Sequence, residues 1–243
     1  ASSAYGQLTR IGAAAAVRGR VEAVAPTAGA VGRIMSSGKE VYLRDAVTTD
    51  AQGRMQVMLL DETVFTIGPN SSLVLDEFVY DPATGAGKMT ARVTKGVFRF
   101  VTGKIARETP SNMRVKLPVG VIGIRGTIVM GKIFSPTSAL AILMGPGARN
   151  NANERPGQMV VSAGGKDSVA SKPGSGIDVT PAGPSAPYTV PQAKVDEMSG
   201  DLSPKTSDAP AKGAGDSGGT ASSPEGSASE ESGQTTVGAL SDL

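Results

Sequence analysis

The sequence predicts an all-β chain, and three observations carry that prediction. Short runs of strand-forming residues recur about every 8 to 12 residues between turn formers. Several runs alternate apolar and polar side chains with a period of two, so one face of each strand is buried and the other wetted. No stretch of any length shows a helical period. The expected architecture is a sandwich or β-roll of about twelve short strands. An extended N-terminal arm over residues 1–16 precedes a β-domain over 17–180, and residues 181–243 form a Pro-rich linker and a disordered, Gly/Ser/Ala-rich acidic tail.

The elements follow in order. Residues 1–16 are small and weakly patterned, which suits an arm. Val17 to Val24, Gly29 to Met35, Glu40 to Leu43 and a segment around Val47 read as the first strands, with Ser36-Ser37-Gly38 as a turn. Asp50 to Gly53 turns the chain into Arg54 to Leu60, and Asp61-Glu62 turns it into Thr63 to Ile67. Gly68-Pro69-Asn70-Ser71 is a turn by composition, and Ser72 to Tyr80 follows. Lys88 to Thr94, Val97 to Val101 and Met113 to Leu117 alternate most cleanly, which places Lys88, Arg92, Arg99, Arg114 and Lys116 on solvated faces. Gly120 to Gly131 is apolar with interspersed glycines, and Ala139 to Met144 reads as a buried strand. Loops at Gly145-Pro146-Gly147 and Arg149-Asn150-Asn151 lead to strands at Gln158 to Ser162, Lys166 to Ala170 and Gly176 to Thr180. Gln192 to Leu202 has room for one or two helical turns. Beyond Ser203 the chain has too few large apolar residues to offset its ordering entropy, except for a slightly apolar stretch at Thr235 to Leu240 that suits a docking tail.

Composition removes whole classes of chemistry. The 243 residues contain no Cys, His or Trp. Disulfides, thiolate metal sites and cysteine nucleophiles are excluded, as are a Ser-His-Asp triad and imidazole acid/base steps. No apolar run approaches the length of a membrane-spanning helix. The small-residue start Ala1-Ser2-Ser3-Ala4 fits what removal of an export signal leaves, so we expect an exported protein of the periplasm, cell surface or extracellular space.

The net charge of +2 conceals a division. Residues 1–190 hold 21 Lys and Arg against 13 Asp and Glu, and residues 191–243 hold 3 against 9. Within the body, Asp45 to Asp81 carries seven acids against one base, and Lys88 to Lys132 carries ten bases against one acid. Such blocks suit opposite-signed surfaces that steer a partner or another copy of the chain. We therefore single out Lys88, Arg92, Arg99, Arg114 and Lys116 with Asp61, Glu62, Asp76 and Glu77 as a candidate interaction surface.

A series of landmarks resembles the FecR domain, a bacterial envelope β-domain. They are Arg44-Asp45-Ala46-Val47-Thr48-Thr49, the hairpin Met55 to Ile67, Gly68-Pro69-Asn70-Ser71-Ser72-Leu73-Val74-Leu75, and Lys95-Gly96-Val97-Phe98-Arg99-Phe100. The most specific is Pro118-Val119-Gly120-Val121-Ile122-Gly123-Ile124-Arg125-Gly126-Thr127, with Gly120, Gly123, Arg125, Gly126 and Thr127 as signature residues of structural purpose. Resemblance spans roughly 19–180. Arg44 and Glu62 stand where the family commonly has Gly, so those turns are expected to differ. The glycines of the signature suggest a bulge or close backbone approach, and Arg125 is expected to be partly buried as an anchor for carbonyls or a carboxylate.

In the family's namesake the domain relays a receptor signal from the periplasm through a membrane span; no such span is read in this sequence, so the resemblance implies a scaffold or interaction domain, with a regulatory, non-catalytic module as the alternative. Neighbouring carboxylates on a strand face opposite sides, so neither Asp61/Glu62 nor Asp76/Glu77 makes a dyad. There is no phosphate loop, dinucleotide fingerprint or calcium-loop spacing. No cofactor or metal is expected. Nucleic acid is disfavoured because the basic faces lack stacking aromatics; an acidic polysaccharide or a lipopolysaccharide fits them a little better. The leading expectation is an exported structural or interaction protein, non-enzymatic, that self-assembles into a surface filament or matrix with other copies of itself or contacts another envelope protein. The alternative is a periplasmic signalling or ligand-sensing module of FecR type.

Overall fold

A computed structural model describes residues 8–145 and 157–203. Residues 1–7 of the expected arm, the expected loop at 146–151, and the expected tail from 204 with its 235–240 stretch lie outside the described residues. Among the described residues, eighteen strands and two α-helices form, so the chain is all-β with helical trim. The strands are β1 (Arg10–Arg18), β2 (Val21–Val24), β3 (Arg33–Ile34), β4 (Glu40–Tyr42), β5 (Ala46–Thr49), β6 (Arg54–Leu59), β7 (Val64–Ile67), β8 (Ser72–Tyr80) and β9 (Gly87–Val101). After α1 (Lys104–Glu108) come β10 (Met113–Leu117), β11 (Gly120–Arg125), β12 (Ile128–Ser135), β13 (Ser138–Gly145), β14 (Gln158–Ala163), β15 (Lys166–Ala170), β16 (Ser175–Thr180), β17 (Gly183–Pro184) and β18 (Tyr188–Thr189). Helix α2 (Gln192–Leu202) closes the described chain.

All strands belong to one hydrogen-bonded sheet, which changes partners along β9. The first part of β9 pairs with β8 and, in parallel, with β10. Its last part pairs with β7 and β12. One half of the sheet therefore runs β4-β1-β6-β7-β9-β12-β13-β16, and the other runs β3-β2-β5-β8-β9-β10-β11-β14-β15. The handover occurs at Gly96, whose φ of 89° lies in the left-handed region. A Cβ there would also collide with the side chain of Ser71. Lys88 to Thr94 and Val97 to Val101, two strands on the sequence reading, are thus one strand with a glycine hinge. Conversely, Gly19 and Gly126, both at positive φ, split runs that read as single strands.

The inward faces of both halves meet in one core. Phe65, Phe98 and Phe100 from one half pack in the same cluster as Leu73, Met89, Val115 and Ile122 from the other. The Phe65 and Phe100 rings lie 5.4 Å apart, tilted, a favourable aromatic geometry. The parallel β9–β10 pair requires a crossover, and α1 with a 3-10 turn at Pro110–Asn112 supplies it. These short helical segments carry too few residues to leave a periodic signal.

Two expectations change. Residues 10–16 are not a free arm: they form most of β1, which pairs with β4 and β6, and Ile11 and Ala14 are buried. Small residues were read as unstructured, but Gly12 sits where a Cβ would strike the Met58 carbonyl, so smallness is a packing requirement. The chain also remains folded past 180. Strands β17 and β18 pair with β16, and α2 runs for three turns rather than one or two. Val195, Met198 and Leu202 of α2 cover Val97, Met130, Leu140 and Ile142 on the outer face of the first half.

Candidate interaction face

Helix α2 is held to the sheet by polar contacts around its apolar seam. The Nε of Arg54 donates to the Asp201 carbonyl at 2.7 Å. The Lys132 ammonium donates to Glu197 at 3.0 Å and lies 3.5 Å from an Asp201 oxygen. Lys194 and then Lys132 hold the Glu197 carboxyl down to about 2. Burial opposes the charge on Lys132, but Glu197 and Asp201 more than offset it and raise its pKa. The sequence reading missed Lys132; its signal was a lone base at an outward position of an otherwise apolar strand.

The expected interaction surface resolves into separate places. Lys88, Arg92, Arg114 and Lys116 do share one surface, the outer face of the half built on β8-β9-β10-β11. Arg99 does not: it lies beyond the Gly96 hinge, on the other half, between Thr66 and Met130. It is half-buried rather than solvated, and its Nε is enclosed with no hydrogen-bond partner among the described residues.

Asp76 and Glu77 join this face together, contrary to the alternation rule. A β-bulge between Leu75 and Glu77 inserts Asp76 as an extra residue, so the two neighbours reach bases on the same side. Arg92 meets Asp76 at 2.5 Å, and Lys88 meets Glu77 at 3.0 Å. Thr90 donates a further bond to Glu77 at 3.2 Å. The Lys88 contact leads in lowering the Glu77 pKa, and the Asp76 contact raises that of Arg92. The carboxylates thus answer Lys88 and Arg92 of β9, while Arg114 and Lys116 on β10 form no ion pair among the described residues.

Asp61 and Glu62 belong elsewhere. Asp61 is fully buried: its carboxylate accepts from the Thr63 amide at 3.1 Å and the Thr63 hydroxyl at 2.7 Å. It fastens a turn and has no surface to offer. Glu62 is exposed at the tip of that turn and pairs with Lys104 at 2.7 Å. Arg125 corrects its expectation in the opposite direction, since it is exposed and anchors no carbonyl or carboxylate among the described residues.

A shallow pocket of about 350 Å³ opens at one end of the core. Ile11, Leu60, Phe78, Tyr80 and Pro82 line it, and Arg10 and Lys104 stand at its rim. Both cations already face carboxylates, Glu40 and Glu62. Among the described residues, no three acids gather in a metal-holding group, and no helix is long and apolar enough to cross a membrane.

A family model described as FecR protein matches residues 45–145. The chain carries a FecR domain. No curated protein matches the chain. The FecR match begins at Asp45 beside β5 and ends at the close of β13, so it contains the β9 hinge and strands from both halves.

The FecR landmarks now acquire physical reasons. Ser71 stitches three segments: its amide donates to Thr49 Oγ1 at 2.8 Å, and its hydroxyl accepts from the Val97 amide at 3.1 Å. Thr63 accepts from the Gly103 amide at 3.0 Å, tying the buried turn to the start of α1. Thr127 donates its hydroxyl to the Gly145 carbonyl and its amide to Thr102 Oγ1. The three signature glycines differ in purpose. Gly120 approaches the Ser162 carbonyl too closely for a Cβ, Gly126 takes φ 47°, and Gly123 lies open on the outer face. The sequence reading missed Thr102 and Gly103, which lie between the motifs and have no pattern of their own. Arg44 and Glu62 adopt φ 65° and 69°, so the FecR turns keep a left-handed residue even where Gly is absent.

Proposed function

We propose that this chain is a non-catalytic contact module of FecR type that operates in the cell envelope by relaying or sensing through a bound partner. The match to the FecR family over 45–145, on the strands that build both halves of the sheet, carries this reading. The polar landmarks serve backbone fastening, which fits a rigid platform better than a reaction centre. The leading expectation of a self-assembling filament loses one of its motivations, because residues 10–16 of the expected arm already pair with β4 and β6 of their own sheet.

The test is cross-linking of the full chain in living cells, followed by identification of partners and a transcript comparison with a deletion strain. A receptor or an anti-sigma-type partner recovered with the chain, and a defined gene set altered on deletion, is the expected result. Recovery of only its own copies, with unaltered transcripts, would overturn the regulatory reading.

A further inference from the structure

We propose that the β10–β11 part of the outer face is a docking surface for an acidic polysaccharide; this rests on, and deepens, the reading of the chain as an envelope contact module. The charge balance of the face is asymmetric. On its β8–β9 side, Asp76 and Glu77 answer Arg92 and Lys88. On its β10–β11 side, Arg114, Lys116 and Arg125 are exposed and form no ion pair among the described residues, although the Lys116 charge reaches Glu77 on the far side of β9. Their positions follow from register. Arg114 and Lys116 are two residues apart on one strand, roughly 7 Å along it. Arg114 sits opposite Gly123, and Arg125 follows two residues later on the adjacent strand. Asp167 on β15 is the acid farther across the same face, opposite Ser162, roughly 14 Å or three strand spacings from Lys116.

The floor between these cations is flat and mildly apolar. Gly123 contributes no side chain, and Val121 and Val160 are half-buried beside it. A sheet face exposes side chains rather than free backbone groups, so it offers an extended peptide no ladder to join. The floor positions Val121, Gly123, Val160 and Ser162 include no aromatic ring, so unpaired bases have nothing on which to stack. A linear polymer of acidic sugars meets the remaining requirements: carboxylates at regular intervals for the three cations, and ring C–H surfaces for the valines and the open glycine. Exposed pairing of this kind is screened by salt.

The experiment uses the purified full chain and surface-immobilised polygalacturonate, with neutral dextran, polyglutamate and anionic phospholipid vesicles as the other arms. The wild type is expected to bind polygalacturonate in preference to all three, more weakly as salt rises. The triple variant R114Q/K116Q/R125Q is expected to lose about tenfold or more in affinity, a loss of about 1.4 kcal/mol or more. A variant with equal charge removed elsewhere, R20Q/K39Q/K172Q, is expected to retain binding. Absence of wild-type binding, equal loss in both variants, an unaffected triple variant, or tighter binding to polyglutamate or vesicles would each overturn the proposal. Cross-linking of R114Q/K116Q/R125Q in cells separates the two readings, because a retained protein partner leaves the regulatory reading standing when the glycan site fails.

Discussion

Ser71 shows how single polar side chains fasten this fold. Its hydroxyl accepts from the buried Val97 amide, and its amide is satisfied by Thr49. S71A leaves the Val97 amide without that partner, which costs about 1–3 kcal/mol for a buried unsatisfied group. Urea unfolding monitored by circular dichroism reads this as a lower midpoint with an unchanged slope. Arg44 and Glu62 run the other way. Both occupy left-handed backbone, which disfavours residues with a Cβ. R44G and E62G are each expected to stabilise the chain by roughly 0.5–1 kcal/mol, read as a higher Tm. Losing the exposed Glu62–Lys104 pair subtracts little. The residue scale was also where the sequence was least informative. Alternation cannot reveal a bulge, so Asp76 and Glu77 were assigned to opposite faces. A buried Asp61 and an exposed Glu62 are indistinguishable in sequence, because what separates them is a turn rather than a pattern.

Helix α2 is the element at which a pH dependence is expected, through Glu197. Glu197 titrates at about 2 in the folded chain, below the ordinary 4.5. A depressed carboxyl pKa favours the folded, ionised form, so its contribution is complete above about pH 4.5 and fades as pH falls towards 2. Acidification through that window is expected to loosen α2 from the sheet. Methyl resonances of Met130 and Met198, which share the seam, should shift together in that range in the wild type. In E197Q the shift between pH 4.5 and 2 should shrink; an identical titration would exclude Glu197 as its source. The strands themselves were largely legible: β8, β10, β13, β14 and β15 lie close to their apolar and alternating runs. Strand β1 and helix α2 were less so, since an alanine run and a charged, Gly-containing segment acquire their burial only from what they pack against.

The whole molecule turns on β9, which serves both halves of the sheet. Gly96 is the point at which one strand passes from one set of partners to the other. G96V places a Cβ against Ser71 at a backbone angle that valine disfavours. Hydrogen exchange is expected to rise in β8 and β12 together, although these strands lie on different halves. Loss of protection confined to one half would show the halves to be independent. The landmark series in the sequence pointed to the family, while the architecture required β9 to be seen as one strand. Glycine flanked by two alternating runs reads as a turn, and only the continuous pairing on either side shows that the chain bends without stopping.

The placement of α2 has a consequence for the order in which the chain can mature. Val97, Met130, Leu140 and Ile142 belong to strands made long before Val195, Met198 and Leu202 emerge. Until those last residues arrive, a nascent sheet presents a greasy outer patch with nothing of its own to shield it. A chain that emerges end-first therefore passes through a sticky interval, and a holding chaperone has a defined target during it.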